Sequence, residues 1–166
     1  MLDVRSPLSS VLPVANSNLS LAEAPGFTLT QLAGADKDLK KALGKIPAHV
    51  GIVLKTEARI ILRIGPKQVW VLGELPTSNG LAITPLSSGR TRISLSGIKA
   101  RDVLSSCAAI DFHPTQFKPG QFVMTGIHHT PVMIHCITDN EFHIYALRTF
   151  AKAVWEWLDD AAIGVS

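Results

Sequence analysis

The chain has 166 residues, 46% of them apolar and only 17% charged, with a formal net charge of +3. That composition supports a sizeable core and excludes wholesale disorder, and the charge is too small to require a nucleic-acid partner. So low a charged fraction also points to some apolar surface covered by another chain.

Residues 1–26 are rich in Ser, Pro and Asn and read as an irregular leader lying along another surface. They hold an early aspartate, no long apolar run and no cleavage pattern, so no signal peptide is expected. No window approaches the ~18 apolar residues of a membrane span, and the expected location is the cytoplasm. "FTLTQLA" (27–33) reads as a strand and "ADKDLKKALGKI" (35–46) as a helix ending near Gly44. Within it Leu39, Leu43 and Ile46 share one face, which leaves Lys37, Lys40, Lys41 and Lys45 on the other. The plain reading is a solvated face; docking to an acidic partner is the alternative.

"EARIILRI" (57–64), the turn "GPKQ" and "VWVLG" (69–73) predict a hairpin. A loop, "ELPTSNG" (74–80), leads to strands around "LAITPL" and at "TRISLS" (91–96). Ser96 is placed to cap the following helix, where Ala100, Val103, Leu104 and Cys107 form the buried stripe and Lys99, Arg101 and Asp102 face outward. After the turn "DFHPTQFKPG" come three strands, "QFVMTGI", "TPVMIHC" and "EFHIYAL", and the helix "RTFAKAVWEWLDDAA". Val132, Ile134 and Cys136 face the same core as Phe142, Ile144 and Ala146 only if an odd number of residues connects them, which suggests Asp139, Asn140 and Glu141 as a three-residue loop.

An internal duplication organises these elements. "FTLTQLAGADKDLKKAL" and "TRISLSGIKARDVLSSC" share a strand, a glycine and an amphipathic helix, with Gly34 matching Gly97; "RIILRIGPKQVWVLG" and "VMIHCITDNEFHIYA" are hairpins of one form. The expected fold is α+β, a single domain with mostly antiparallel sheets and helices packed on them. Its parts are the leader 1–26, a first repeat 27–86 and a second repeat 87–166, related by a pseudo-twofold axis.

The residues assign no catalytic, cofactor-binding or metal role. No dinucleotide or P-loop spacing follows Gly89 or Gly97, so Gly97 reads as a tight strand-to-helix turn. His128, His129, His135 and His143 sit on neighbouring strands, where three imidazoles could take zinc. No Asp, Glu or Cys joins them at ligand spacing, so solvent-facing or interface histidines are expected. Cys107 and Cys136 are too few for a disulfide framework and fall on apolar faces, where a thiol is inert. In the last helix Phe150, Val154, Leu158 and Ala161 read as the core stripe with Trp157 at its edge, and Trp155 as the tryptophan lent to a partner. With Leu8 and Leu12 of the leader, Trp155 completes the expected partner interface.

"RSPLSS", "ILRIGPKQVWVLG", "GRTRISLSGIKARDVLSSCAAIDFHPTQFKPGQF" and "LRTFAKAVWEWLDDAA" together resemble the gamma subunit family of heterotetrameric sarcosine oxidase. That family is itself similar to the folate-binding domain of glycine-cleavage T-protein. The resemblance is strongest from Ser87 to Ala161. It implies two β2-α-β3-α-type units and a small non-catalytic subunit of a complex that oxidatively demethylates sarcosine, yielding glycine, hydrogen peroxide and methylenetetrahydrofolate. FAD, FMN, NAD and tetrahydrofolate would then belong to the larger alpha, beta and delta subunits, with no cofactor in this chain. Folate-processing relatives carry an Asp-Asp pair at positions near Ile134 and His135 here, and an extra C-terminal barrel. The resemblance therefore implies no folate catalysis by this chain. Between Leu72 and Ile83, where the family inserts a helix, the sequence has only "GELPTSNGLA", which leaves a sheet face bare or covered by a partner. A stand-alone small-molecule binder with a folate-type cleft is the alternative function.

Overall fold

The computed structural model describes residues 5–75 and 80–165. Eleven strands and three α-helices are present among them. In chain order these begin with β1 (Val14–Ala15), β2 (Ser20–Glu23), β3 (Leu29–Ala33) and α1 (Asp36–Leu43), followed by β4 (Val53–Lys55), β5 (Arg59–Gly65), β6 (Gln68–Gly73) and β7 (Ala82–Pro85). Then come β8 (Arg90–Ser96), α2 (Ala100–Cys107), β9 (Phe122–Ile127), β10 (Thr130–Thr138), β11 (Glu141–Leu147) and α3 (Ala151–Val165). The expected loop 74–80 lies partly outside the described residues, which omit 76–79.

Two antiparallel sheets run β4-β5-β6-β3-β7 and β1-β2-β8-β11-β10-β9. Matched outward from their hairpins, the orders coincide: β4 corresponds to β9, β5 to β10, β6 to β11, β3 to β8 and β7 to β2. β2, from the leader, pairs onto β8 of the second repeat, and β7, within the first repeat, takes the equivalent place beside β3. Both key glycines lie at the strand-to-helix junction, each with its N–H donated to the hairpin turn of its own sheet: Gly34 to the Lys67 carbonyl at 3.0 Å, Gly97 to that of Asn140 at 2.9 Å. The sheets meet at β4 and β9, where Val53 N–H donates to the Gly120 carbonyl and Phe122 N–H to that of Gly51.

Strand alternation sorts the apolar residues into layers. Ile61, Val69 and Val71 meet α1 through Leu39 on the outer face of the first sheet. Their neighbours Leu62, Trp70 and Leu72 turn inward against Phe122, Met133 and Tyr145 of the second sheet. The outer face of that second sheet carries Ile93, Leu95, Ile134, Phe142 and Ile144 beneath α2 and α3. The order of layers is therefore helix, sheet, sheet, helices. Lys37, Lys40, Lys41 and Lys45 are exposed, as a solvated helix face requires.

Several local expectations are corrected. The leader is not irregular: β1 and β2 extend the second sheet, and Leu8, Leu19 and Leu21 enter its core. β4 is a short strand with no alternating pattern to announce it. The β10–β11 connection is a two-residue turn at Asp139–Asn140, and its odd residue is a bulge at Ile137, between the pairs Cys136–Phe142 and Thr138–Glu141. No side chain caps α2, whose first residues follow Lys99 rather than Ser96. Arg101 does not face water: it bonds the carbonyls of Phe112, Phe117 and Asp139 and lies over the Phe142 ring. In α3 the buried stripe is Ala151, Val154, Trp155, Leu158 and Ala162, because a 3₁₀ turn over Arg148–Phe150 precedes the helix and leaves Phe150 exposed.

Candidate functional site

The inner face of the second sheet is where polar side chains gather. Antiparallel register sets Arg92 beside Tyr145 and Ser94 beside His143 across β8 and β11, and Met133 and His135 beside the same two residues across β10. Trp70 and Leu72 of the first sheet pack with Met133 and Tyr145. Towards Arg92 and His143 that sheet draws back, leaving a cleft of about 500 Å³ closed by Phe27, the β4–β5 turn from Lys55 to Ile60, and Leu72. Arg92 is held there by bonds to the Ala24 and Pro25 carbonyls and stacks over Phe27 at 5.0 Å. Phe27 in turn meets the Tyr145 ring edge-on at 5.6 Å.

His135 and His143 are not solvent-facing. Each is opposite the core residues of its own strand, on the face turned to the first sheet, where His135 is buried and His143 partly buried. Burial, with His143 and Lys55 nearby, lowers the His135 pKa to about 4; burial and then Arg92 lower His143 to about 4. Both rings are therefore neutral at pH 7. His128 and His129 lie instead in the β9–β10 turn, where His128 packs on Trp157. Among the described residues no group of three metal-ligating side chains converges. Burial raises the Cys107 thiol to about 11 and also raises Cys136, where Arg101 opposes the effect, so both are poor nucleophiles.

The three interface candidates separate. Leu12 is 84% exposed, whereas Leu8 and Trp155 are 2% and 3% exposed and pack in this chain's own core. Neither of those two offers surface to a second chain. Ile83 lies on the sheet face expected to be bare where the helix between Leu72 and Ile83 is missing. It pairs with Leu32, so it shares the outer face of the first sheet, yet it is 45% exposed. The corresponding position of the second unit lies under helices. Between β6 and β7 there are only residues 74–81, too few for a counterpart of the fifteen-residue α3. The cleft residues Arg92, Lys55, Arg59 and Tyr145 were missed by the sequence reading; their one signal is parity, since Arg92, His143 and Tyr145 fall on the polar phase of strands otherwise apolar.

Among solved structures, the chain superposes on heterotetrameric sarcosine oxidase from Corynebacterium sp. U-96, crystallised in complex with pyrrole 2-carboxylate, with a TM-score of 0.86 at 23% identity, covering 98% of this chain and 96% of that one. It also superposes on glycine cleavage system aminomethyltransferase T from Bartonella henselae, with a TM-score of 0.62 at 15% identity, over 86% of this chain and 45% of that one. At such identities these likenesses establish the shared fold, including its relation to the folate-binding T-protein architecture. A search of curated proteins found no match. The sequence model of the sarcosine oxidase, gamma subunit family matches residues 68–164, from β6 through α3 and more than half of the chain. The chain belongs to the sarcosine oxidase gamma subunit family.

Proposed function

We propose that this chain is the non-catalytic gamma-type subunit of a complex that oxidatively demethylates sarcosine to glycine, forms hydrogen peroxide and passes the one-carbon unit to tetrahydrofolate. The larger flavoprotein subunits (alpha, beta and delta) hold FAD, FMN, NAD and tetrahydrofolate and carry the chemistry. The observation that carries this reading is the family match over residues 68–164. The side chains support it: burial raises both thiols, and the two inner histidines, one buried and one partly buried, are neutral.

We read the chain as one domain of two interlocked units. The partner surface is the outer face of the first sheet around Ile83, the place without an α3 counterpart, together with the exposed Leu12. Covering apolar surface there would contribute roughly 25 cal/mol per Å² before ordering costs are subtracted. No helix among the described residues is long and apolar enough to cross a membrane. The two cysteines are free thiols, which supports a cytoplasmic location.

The test is an assay of the purified chain alone. It should carry no flavin absorbance after gel filtration and form no peroxide from sarcosine. Sarcosine-dependent peroxide from the isolated chain would end the non-catalytic reading.

A further inference from the structure

The two units differ at one edge. Gly34 and Gly97 hold equivalent places, so Leu32 and Leu95, two residues before them, correspond. Their partners on the side away from the hairpin are Ile83 of β7 and Leu21 of β2. Leu21 is 0% exposed and Ile83 45%. On the second unit the leader supplies the cover: Val14 of β1 pairs with Leu21, and Leu8 and Val11 join the same core. Beyond β7 no further strand follows among the described residues.

Hydrogen-bond parity leaves that edge chemically open. Leu86 N–H donates to the Leu29 carbonyl at 2.9 Å, and bonded pairs alternate along an antiparallel ladder. Ala82 and Thr84 therefore turn their peptide groups to β3, while Ile83 turns its N–H and C=O outward. In the second unit Ala24 N–H donates to the Arg92 carbonyl and Asn16 N–H to that of Leu19, so the same parity turns the Leu21 groups to Val14. Pro85, with no N–H to give, corresponds to Glu23, which β1 does not reach either. All four residues of β7 are exposed, whereas Thr30, Leu32, Val69 and Val71 inboard of it are already buried. The opening has the form of a strand, with no bare floor for a helix.

We propose, building on the gamma-subunit reading, that an extended segment of a partner subunit adds to β7 as β1 adds to β2. It exchanges both backbone bonds with Ile83 and lays an apolar side chain beside it. A second copy of this chain fits less well. A stable interface takes about 20–30 residues a side, and β7 has four. Two copies joined through β7 would also set two sets of the α1 lysines, Lys37, Lys40, Lys41 and Lys45, on one side of a continuous sheet. Those lysines are exposed, and among the described residues none is ion-paired. The same charge favours carboxylates flanking the apolar residue of the donated segment.

The test uses this chain co-expressed with the large flavoprotein subunits, with amide hydrogen exchange read residue by residue. In the chain alone the Ile83 amide should exchange freely, although the Thr84 amide beside it is held by β3; in the complex it should slow at least about tenfold. Cover that reaches only the side chain would leave that amide fast, and this would overturn the proposal. Ile83→Ala and Ile83→Pro separate side chain from backbone. Both lose the isoleucine, but only proline lacks the N–H, which no bond to β3 uses. As free chains the two should melt alike, and Ile83→Pro should bind the subunits about tenfold more weakly than Ile83→Ala. A Lys40→Glu, Lys41→Glu variant should also bind about tenfold more weakly than the parent. Equal affinity of Ile83→Pro and Ile83→Ala, or parental affinity in the lysine variant, would contradict the proposal. So would a free chain that dimerises and loses its dimer in Ile83→Pro. A chain that joins the complex with a fast Ile83 amide sinks this inference alone; one that never joins the complex sinks the gamma-subunit reading with it.

Discussion

Gly97 and Gly34 hold the same topological position under different constraints. Gly97 has φ +120°, and a Cβ on it would strike the Asn18 carbonyl, which is backbone and cannot give way. Gly34 lies outside the left-handed region, and its Cβ would meet only the tip of the Leu81 side chain. Gly97→Ala should therefore cost about 3 kcal/mol, and Gly34→Ala about 1 or less, measured by chemical denaturation. The histidines make a second prediction. Folded, His135 and His143 titrate at about 4, whereas unfolded they return to the ordinary 6.5. The unfolded state then binds more protons between those values, so the contribution is complete above pH 6.5 and is lost as pH falls towards 4. Charges facing the pair include Lys55 and Arg92, with Glu141 3.6 Å from His143 acting in the opposite sense. For His135, the more deeply buried, the loss is on the order of 2–3 kcal/mol. A His135→Gln, His143→Gln double variant should show a flatter melting profile over this pH range; an equally steep one would contradict the assignment. Strand parity made the histidines' face legible, but not what covers it, because a second sheet leaves no mark on the covered strand's own sequence.

At the scale of elements, most strands and all three helices were legible from alternation and helical spacing. The misses have physical reasons. Parity demanded an odd residue between Cys136 and Phe142, and a bulge at Ile137 satisfies that as well as a longer turn does. The stripe of α3 slipped because a 3₁₀ turn absorbs Arg148–Phe150 before the helical period begins. The leader looked irregular because β1 and β2 are short and lie in a stretch rich in Ser and Asn, and β8, the partner of β2, lies some seventy residues away in sequence. Its contribution is large nonetheless. Burying Leu8, Leu19 and Leu21 is worth roughly 1.5–3 kcal/mol each, comparable in sum with the whole stability of about 5–15 kcal/mol expected for such a domain. A chain lacking residues 1–26 should fail to fold cooperatively by thermal melting. A sharp transition near the parent's would show the leader to be dispensable.

At the scale of the whole molecule, two sheets of matching strand order stand together, and among the described residues α3 packs on the second sheet with no counterpart on the first. Leu8 and Trp155 support the chain's own fold, so Leu8→Ala and Trp155→Ala should each lower stability by about 2–5 kcal/mol. Leu12→Ser and Ile83→Ser, on exposed apolar positions, should leave the melting temperature of the isolated chain within a degree or two of the parent (surface changes stay within about 0.5 kcal/mol) and reduce retention by partner subunits. The reverse pattern would move the interface elsewhere. The most direct measurement of the central claim is co-expression of this chain with the large flavoprotein subunits, followed by size-exclusion chromatography read for protein and flavin together. A single flavin-bearing peak that contains this chain in stoichiometric amount is the predicted result. A flavin-bearing complex that assembles fully while this chain elutes apart from it would contradict its role as the gamma subunit.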